Sequence, residues 1–218
     1  MAGCAEVSNI TIIGASAGVG LEAVKRALQR GHHVTTLARS DISIADSERL
    51  TKRKGSATNA ADLRQSIADA DAVIVALGTG KSMKPTTLYT DFARVLLQVH
   101  REQAVQKPII VQTGFGAGAS GQYHGSLITR LFFKFLLKDV YEDKTKMEEA
   151  IAQSNLNWVI VRPGMLKDGE LTEKYRVENK LYRGMNIGSI RRADVADFLV
   201  KQAEQPTELH QCPALSNT

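Results

Sequence analysis

Short apolar runs alternate with segments of helical periodicity along most of the chain. The apolar runs predict strands at residues 9–13, 33–38, 72–77, 109–112 and 158–162, with a weaker strand at 52–56. Helical patterns predict helices at residues 18–30, 60–68, 85–102, 127–137, 141–153 and 192–203. The run at 72–77 is apolar throughout, which is typical of a central strand covered on both faces.

This order of elements predicts the fold class. A strand, a helix and a further strand in succession form right-handed units that build a parallel sheet with helices on both faces. We therefore predict an α/β, doubly wound (Rossmann) fold, with residues 1–218 as a single domain. In such sheets ligands bind beyond the carboxyl ends of the strands, so the candidate site lies in the segments that follow them: 14–20, 39–41, 78–81, 113–118 and 163–173.

A glycine-rich turn after the first predicted strand is the strongest chemical signal. Its glycines allow backbone N–H groups to approach a pyrophosphate, and the next helix directs its positive N-terminal end at that anion. The spacing GxxxGxG differs from GxGxxG, but its place between a strand and a helix supports the same role. We expect a bulky residue at Gly14 or Gly20 to abolish dinucleotide binding while the fold survives. The predicted cofactor-binding residues of the turn are Gly14, Ser16, Ala17, Gly18, Val19 and Gly20.

The end of the second predicted strand indicates which dinucleotide is bound. NAD enzymes commonly carry an acidic residue about 20 residues after the glycine turn, where it binds the ribose hydroxyls. Here Arg39 follows the strand, and its guanidinium suits the 2′-phosphate of NADP, with Ser40 as a second donor. Asp41 leaves NAD as the alternative, because a strand ending two residues later would put this acid at the ribose. We predict NADP(H) as the cofactor.

The composition indicates which kinds of molecule the chain binds. Apolar residues make up 43% of the chain and charged residues 23%, as in ordinary globular domains. The net charge of +5 comes from dispersed Lys and Arg, which favours attraction of an anionic small molecule over nucleic-acid binding. The two cysteines show no metal or disulfide pattern, and no apolar run approaches the roughly 20 residues of a membrane span. We expect a soluble, cytoplasmic protein without a metal site, bound neither to membrane nor to nucleic acid.

Several segments together resemble those of a known family. They are the glycine turn, residues 71–79 (DAVIVALGT), the helix start at 85–87 (PTT), residues 157–164 (NWVIVRPG) and residues 192–196 (RADVA). This set is similar to that of the atypical short-chain dehydrogenase/reductase group that includes biliverdin-IXβ reductase (flavin reductase) and the NmrA-like proteins. The segments span nearly the whole chain.

The resemblance implies where the remaining contacts lie. It places the loop after the fourth strand at the adenosine and pyrophosphate, the end of the fifth strand near the nicotinamide, and the turn after the sixth strand at the carboxamide. It also implies a substrate mouth formed by about residues 114–125 and 163–188. The predicted cofactor-binding residues in these segments are Leu77, Gly78, Thr79, Thr113, Gly114, Pro163 and Gly164.

The predicted catalytic residues are Thr113 and Lys144. Better-known short-chain dehydrogenases use a Tyr-x-x-x-Lys pair, in which the ammonium lowers the pKa of the phenol. Here Tyr141 precedes Lys144 by three positions, which is not the usual spacing. We therefore expect no carbonyl-reducing triad and a Tyr141 that is not the proton donor, while Lys144 reaches the nicotinamide ribose and so also counts as cofactor-binding.

Two functions remain open at this point. The first is an NADPH-dependent reductase of a planar acceptor such as a flavin, quinone or tetrapyrrole, for which positioning carries most of the catalysis. The alternative is a non-catalytic NAD(P)-binding regulatory or assembly protein of the NmrA-like type. A small-molecule acceptor is the predicted partner, and the chain is expected to be a monomer or a homodimer.

Overall fold

The computed structural model describes residues 6–80, 82, 84–123, 137–182, 185 and 187–217. Five α-helices lie in these ranges: α1 (Gly18–Gln29), α2 (Ala60–Ile67), α3 (Leu88–Gln103), α4 (Lys138–Ala152) and α5 (Arg192–Glu204). The strands are β1 (Asn9–Ile13), β2 (His33–Ala38), β3 (Leu50–Lys54), β4 (Ala72–Val75), β5 (Ile109–Gln112), β6 (Trp158–Pro163), β7 (Met165–Lys167), β8 (Tyr175–Glu178), β9 (Ser189–Arg191) and β10 (Ala214–Asn217). A 3-10 helix covers Gly118–Tyr123.

The main sheet has eight strands in the order β3-β2-β1-β4-β5-β6-β10-β8. All neighbouring pairs are parallel except β10 with β8, which is antiparallel. The strand order reverses between β1 and β4, so the loops after these two strands flank the crevice in which doubly wound folds bind ligands. The predicted doubly wound, mostly parallel α/β fold is confirmed.

Two apolar cores lie on opposite faces of this sheet. On one face, α1 and α5 cover side chains such as Ile10 and Ile12 of β1. On the other face, α2, α3 and α4 cover Ile13 and side chains such as Val73 of β4. Alternate residues of a strand point to opposite faces. The central strands are consequently buried throughout, as predicted for β4.

Helix α3 shows how the structure corrects a predicted boundary. The predicted start at residue 85 is wrong by three residues, because the helix begins at Leu88. Asp143 of α4 accepts hydrogen bonds from the backbone N–H groups of Tyr89, at 2.9 Å, and Thr90, at 3.1 Å, and also from the Thr90 hydroxyl. A carboxylate from another helix thus satisfies the first turn of α3.

The other differences concern strands with little apolar pattern. Strand β3 begins and ends two residues before the predicted 52–56, and its sequence LTKRK is mostly polar because it lies at the sheet edge. Helix α4 begins three residues before the predicted 141. The short strands β7, β8, β9 and β10 were not predicted. The predicted helix at 127–137 lies outside the described residues, except for Leu137.

Candidate cofactor site and catalytic centre

The glycine turn lies at the reversal point of the strand order. Gly14 follows β1, has a φ of +82°, and donates its N–H to the carbonyl of Leu37 in β2. A Cβ at Gly14 would stand 2.5 Å from the carbonyl oxygen of Ala76, just after β4. Glycine is therefore required both by the left-handed backbone and by the close approach of two chain segments.

Gly20 closes the same turn from the first turn of α1. A Cβ there would lie 2.2 Å from the carbonyl oxygen of Gly14, so the backbone of the helix packs directly on the turn. Both glycines thus have a structural function besides any contact with a cofactor. The expectation that a bulky residue at Gly14 or Gly20 affects dinucleotide binding alone does not agree with this packing, because either side chain would meet backbone atoms and shift the turn.

The start of α1 has the features of an anion site. Its N-cap residue is Ala17, which makes no side-chain capping bond, and the first turn contains no acidic residue. Gly18 has a φ of +58°. A Cβ at Gly18 would have one neighbour within 4 Å, the Nε of Arg192 at 3.8 Å, so the space beside Gly18 is open. Backbone N–H groups, the helix dipole and a nearby arginine suit a pyrophosphate. The residues present fit a dinucleotide.

Strand β2 ends where the sequence predicts. Its last residue is Ala38, so Arg39 and Ser40 are the first residues beyond the strand, and both are exposed. Asp41 forms a salt bridge of 3.1 Å with Lys54, in which both side chains are exposed. The arrangement leaves Arg39 next to the carboxyl end of β2, where the ribose of a dinucleotide lies in doubly wound folds.

The loops after β4 and β6 differ in their exposure. Gly78 is exposed, and a Cβ there would have no neighbour nearer than 3.9 Å, which leaves its backbone accessible to a ligand. Pro163 is the last residue of β6 and is buried, and its carbonyl accepts the N–H of Phe115. A Cβ at Gly164 would stand 2.7 Å from the Gly188 carbonyl oxygen. The Pro163 carbonyl therefore joins the two mouth segments, and Gly164 packs on the far end of its own segment.

Thr113 occupies the predicted place at the end of β5, but its side chain points into the protein. It is 1% exposed, and its hydroxyl donates a hydrogen bond of 2.6 Å to Oε1 of Glu148 on α4. A buried hydroxyl that already donates to a carboxylate is not available to a substrate. The predicted catalytic role of the Thr113 side chain does not agree with this geometry, and it is the Thr113 carbonyl that contacts Lys144.

Glu148 also forms a buried ion pair with Arg162 of β6. Its Oε2 lies 2.7 Å from Nη2 of Arg162, and the residues are 3% and 5% exposed. Oε1 accepts from Arg162 Nε at 3.3 Å as well as from Thr113. The carboxylate is thus bound by a guanidinium fork and a hydroxyl, a geometry that offsets the cost of burying its charge.

Lys144 lies one helical turn before Glu148. Its Nζ donates a hydrogen bond of 2.8 Å to the Thr113 carbonyl and stands 5.3 Å from the ring centre of Tyr89 and 5.0 Å from that of Tyr141. Burial lowers the pKa of Lys144 to about 8, against the opposite effect of the Glu148 charge. Lys144 is therefore mostly protonated at neutral pH, but it holds its proton less strongly than a solvated lysine does.

Tyr141 comes closer to Lys144 than its sequence spacing suggests. The hydroxyl of Tyr141 lies 2.9 Å from the point where Gly114 would carry a Cβ, and Lys144 Nζ lies 3.7 Å from the same point. Both side chains thus reach the glycine after β5. Burial, followed by the charge of Glu148, raises the pKa of Tyr141 to about 12. This phenol is a poor acid near neutral pH, whereas Lys144 is well suited to donate a hydrogen bond to a developing anion.

The two predicted mouth segments meet in a small apolar cluster. Phe115, Met185 and Ile187 are buried in it together with Ala214, and Tyr123 packs against them. Two exposed apolar side chains lie in the second mouth segment, Met165 at 70% exposure and Tyr182 at 58%. Residues 124–125, the predicted end of the first mouth segment, lie outside the described residues.

Sequence reasoning missed Glu148, Arg162 and Arg192 as functional candidates. Arg162 carried a signal, because a charged residue ends an apolar, buried strand and so requires a buried partner. Glu148 carried a weaker signal, since it stands four positions after Lys144 and hence on the same face of the helix. The proximity of Arg192 to Gly18 depends on how α5 packs beside α1, which no local pattern specifies.

Within the described ranges, no three His, Cys, Asp or Glu side chains form a group that could hold a metal ion. In the same part of the chain, no helix combines the length and the apolar character that crossing a membrane requires.

Comparison with known proteins identifies the family. The family model described as NAD(P)H-binding matches residues 14–206. Among solved structures, the chain is similar to a proposed NADH-flavin reductase from Streptococcus pneumoniae, with 24% identity over 97% of this chain and 100% of the other, and a TM-score of 0.77. A short-chain dehydrogenase/reductase from Veillonella parvula in complex with NADP shares 20% identity over 96% and 94%, with a TM-score of 0.76. An anaerobilin reductase from Escherichia coli O157:H7 shares 22% identity over 96% and 97%, with a TM-score of 0.72. These likenesses confirm the fold, and the family match, which covers most of the chain, shows that the protein belongs to the NAD(P)H-binding family.

Proposed function

We propose that this protein is an NADPH-dependent oxidoreductase that reduces a planar conjugated acceptor such as a flavin, a quinone or a tetrapyrrole. The observation that carries the proposal is the position of Lys144. Its ammonium is hydrogen-bonded to the Thr113 carbonyl beside Gly114, at the carboxyl end of β5. This is the same edge of the sheet at which the glycine turn follows β1. The sequence predicts that Lys144 reaches the nicotinamide ribose, and a charged donor at this position would also lie beside an acceptor that faces the nicotinamide.

Binding is assigned to the glycine turn and to the segments that follow β2 and β4. The turn from Gly14 to Gly20 and the start of α1 would hold the pyrophosphate, and Arg192 beside Gly18 would add a positive charge. Arg39 and Ser40 would bind the 2′-phosphate, which is why we propose NADPH over NADH. The accessible backbone at Gly78 supports the predicted contact of the Leu77–Thr79 loop with the adenosine and pyrophosphate.

The chemistry needs few groups from the protein. When bound, the reduced nicotinamide supplies a hydride. Lys144 would donate a hydrogen bond from Nζ to the atom of the acceptor that gains negative charge, and the burial that lowers its pKa also strengthens that interaction. Tyr141 retains its proton because its pKa is raised to about 12. The apolar cluster around Phe115 would exclude water from one side of the mouth, which strengthens the same hydrogen bond.

The class of acceptor rests on the mouth and on two similar structures. Met165 and Tyr182 are large apolar side chains with most of their surface exposed, as expected where a flat conjugated molecule stacks. One similar structure is described as an NADH-flavin reductase, and another as a reductase of anaerobilin, which is a tetrapyrrole. We propose acceptors of these two chemical types, with quinones as the third.

NADPH oxidation in the absence of oxygen tests the proposal. The purified protein is supplied with FMN, a quinone or a linear tetrapyrrole, and absorbance at the nicotinamide band is followed. We expect turnover with at least one acceptor and a preference for NADPH over NADH. Tight NADPH binding without oxidation by any acceptor would instead support the non-catalytic, NmrA-like alternative.

A further inference from the structure

The buried ion pair between Glu148 and Arg162 joins α4 to β6 at a large cost in desolvation free energy. Each charge loses its hydration, and an apolar pair of the same volume is often as stable or more so. The residues are only 3% and 5% exposed, so water does not offset this loss. Such a pair calls for an explanation in terms of what it holds in place, and it contacts two other parts of the site.

Its first contact is with the end of β5. The Thr113 hydroxyl donates to Glu148 Oε1 at 2.6 Å, and the Thr113 carbonyl accepts from Lys144 Nζ at 2.8 Å. Glu148 and Lys144 are four residues apart on α4, one turn of the helix. Helix α4 thus binds Thr113 by its hydroxyl and by its carbonyl, which fixes the position of the ammonium relative to the strand end.

Its second contact is with the loop that begins the predicted substrate mouth. A Cβ at Gly118 would stand 2.2 Å from Glu148 Oε2 and 2.7 Å from Arg162 Nη2, and Gly118 has a φ of +52°. The Gly118 N–H donates to the hydroxyl of Thr145 on α4 at 2.9 Å. The loop therefore lies directly on the ion pair, and Phe115 of the same loop packs against Met185.

We propose that Glu148 and Arg162 are positioning residues, which hold Lys144 and the glycine-rich loop 114–118 in a fixed relation through Thr113 and Gly118. The inference rests on the proposed function for its catalytic meaning. Neither residue touches the acceptor in this account. Their effect passes through Lys144.

The charge of Glu148 has a second consequence for Lys144. The groups that face the ammonium are the Thr113 carbonyl from β5, the Tyr89 ring from α3, and Tyr141 and Glu148 from its own helix. The neighbouring acid Asp143 is turned to the start of α3. Burial lowers the pKa of Lys144 and the Glu148 carboxylate raises it, so this carboxylate keeps the ammonium charged.

Titration of Lys144 tests the inference without any acceptor. The protein is prepared with lysine labelled at the side-chain nitrogen, and the Lys144 signal, assigned with the Lys144→Met variant, is followed by NMR against pH. We expect a midpoint near 8 in the parent protein and a clearly lower midpoint in Glu148→Gln. Because that variant leaves Arg162 buried and unpaired, the double variant Glu148→Gln/Arg162→Gln serves as the second test, with the same expected direction.

Thr113 provides a matched pair of variants. Thr113→Ser keeps the hydroxyl donor to Glu148, and we expect its titration midpoint and its kcat to lie much nearer to the parent values than those of Thr113→Val. Thr113→Val removes the donor to Glu148 at nearly constant volume, and we expect a fall in kcat of up to about a hundredfold, since small misplacements of catalytic groups have effects of that size. The KM for NADPH should remain unchanged.

The outcomes separate this inference from the proposed function. An unchanged Lys144 midpoint in folded Glu148→Gln and double variants, or equal rates for Thr113→Val and Thr113→Ser, would overturn the positioning role. A protein that oxidises no NADPH but shows the expected shift in midpoint would contradict the proposed function alone.

Discussion

At the dinucleotide end of the site several residues assigned to binding are exposed, whereas near Lys144 the residues Thr113, Glu148 and Arg162 are buried and joined by hydrogen bonds. Arg39, Ser40 and Ala17 face solvent after β2 and before α1. Glu148 and Arg162 are almost completely buried and meet through the carboxylate. An exposed set of donors can bind a large anion without first breaking internal bonds, whereas a buried set fixes one group, Lys144, with precision. The comparison suggests that the first region determines affinity and the second determines rate.

Removal of Arg162 should have the largest effect on stability. Arg162→Met leaves the Glu148 carboxylate buried without its main partner, and breaking a buried pair in this way costs about 3–5 kcal/mol of unfolding free energy. Urea denaturation measures this loss. The control is Arg39→Ala, for which we expect a change within about 0.5 kcal/mol because the side chain is exposed. Similar losses in the two variants would remove the distinction between the regions.

Removal of Arg39 should have the largest effect on cofactor affinity. A charge-assisted hydrogen bond to the 2′-phosphate contributes about 1.5–3 kcal/mol, so Arg39→Ala should weaken NADPH binding by roughly 10- to 150-fold. NADH lacks this phosphate, and its affinity should hardly change. Calorimetric titration with each cofactor gives both values. Equal losses for NADPH and NADH would direct attention to Asp41 or to the pyrophosphate.

Arg192 is the matched control within the same region. It lies beside Gly18 and forms an exposed salt bridge of 2.7 Å with Asp168. If it acts on the pyrophosphate, which both cofactors share, Arg192→Ala should weaken NADPH and NADH binding by the same factor, equivalent to about 1 kcal/mol. A selective loss of NADPH binding in this variant would mean that Arg192, and not Arg39, reads the 2′-phosphate.

Tyr141 should have the smallest effect, although it lies beside Lys144. Its pKa of about 12 makes it a weak acid, so Tyr141→Phe should retain most of the parent rate. Loss of a true general acid typically lowers the rate about a hundredfold or more. The steady-state rate of NADPH oxidation with the best acceptor decides whether the parent rate is retained or lost. A collapse of the rate at unchanged NADPH affinity would make Tyr141 the proton donor.

The two regions also differ in how far the sequence predicts them. The glycine turn and the position of Arg39 can be predicted from local patterns, because each follows directly on a buried strand. The predicted end of β2 at Ala38 is confirmed. The ion pair of Glu148 with Arg162 joins residues of different elements, and its existence depends on how α4 packs against β6. Polar strands such as β3 and the short β7–β10 were misplaced or missed because pairing with neighbours, not their own apolar pattern, forms them.

The most direct test of this account compares Lys144→Met with Arg39→Ala in one experiment, in which NADPH Kd and kcat are determined for each variant. We predict that Lys144→Met loses about a hundredfold or more in kcat with a much smaller loss of NADPH affinity than Arg39→Ala, and that Arg39→Ala shows the reverse, weak binding with nearly parental kcat. In the parent protein kcat/KM should fall as the pH rises through about 8, because the Lys144 ammonium is then lost. Full activity in Lys144→Met, without this dependence on pH in the parent, would contradict the account.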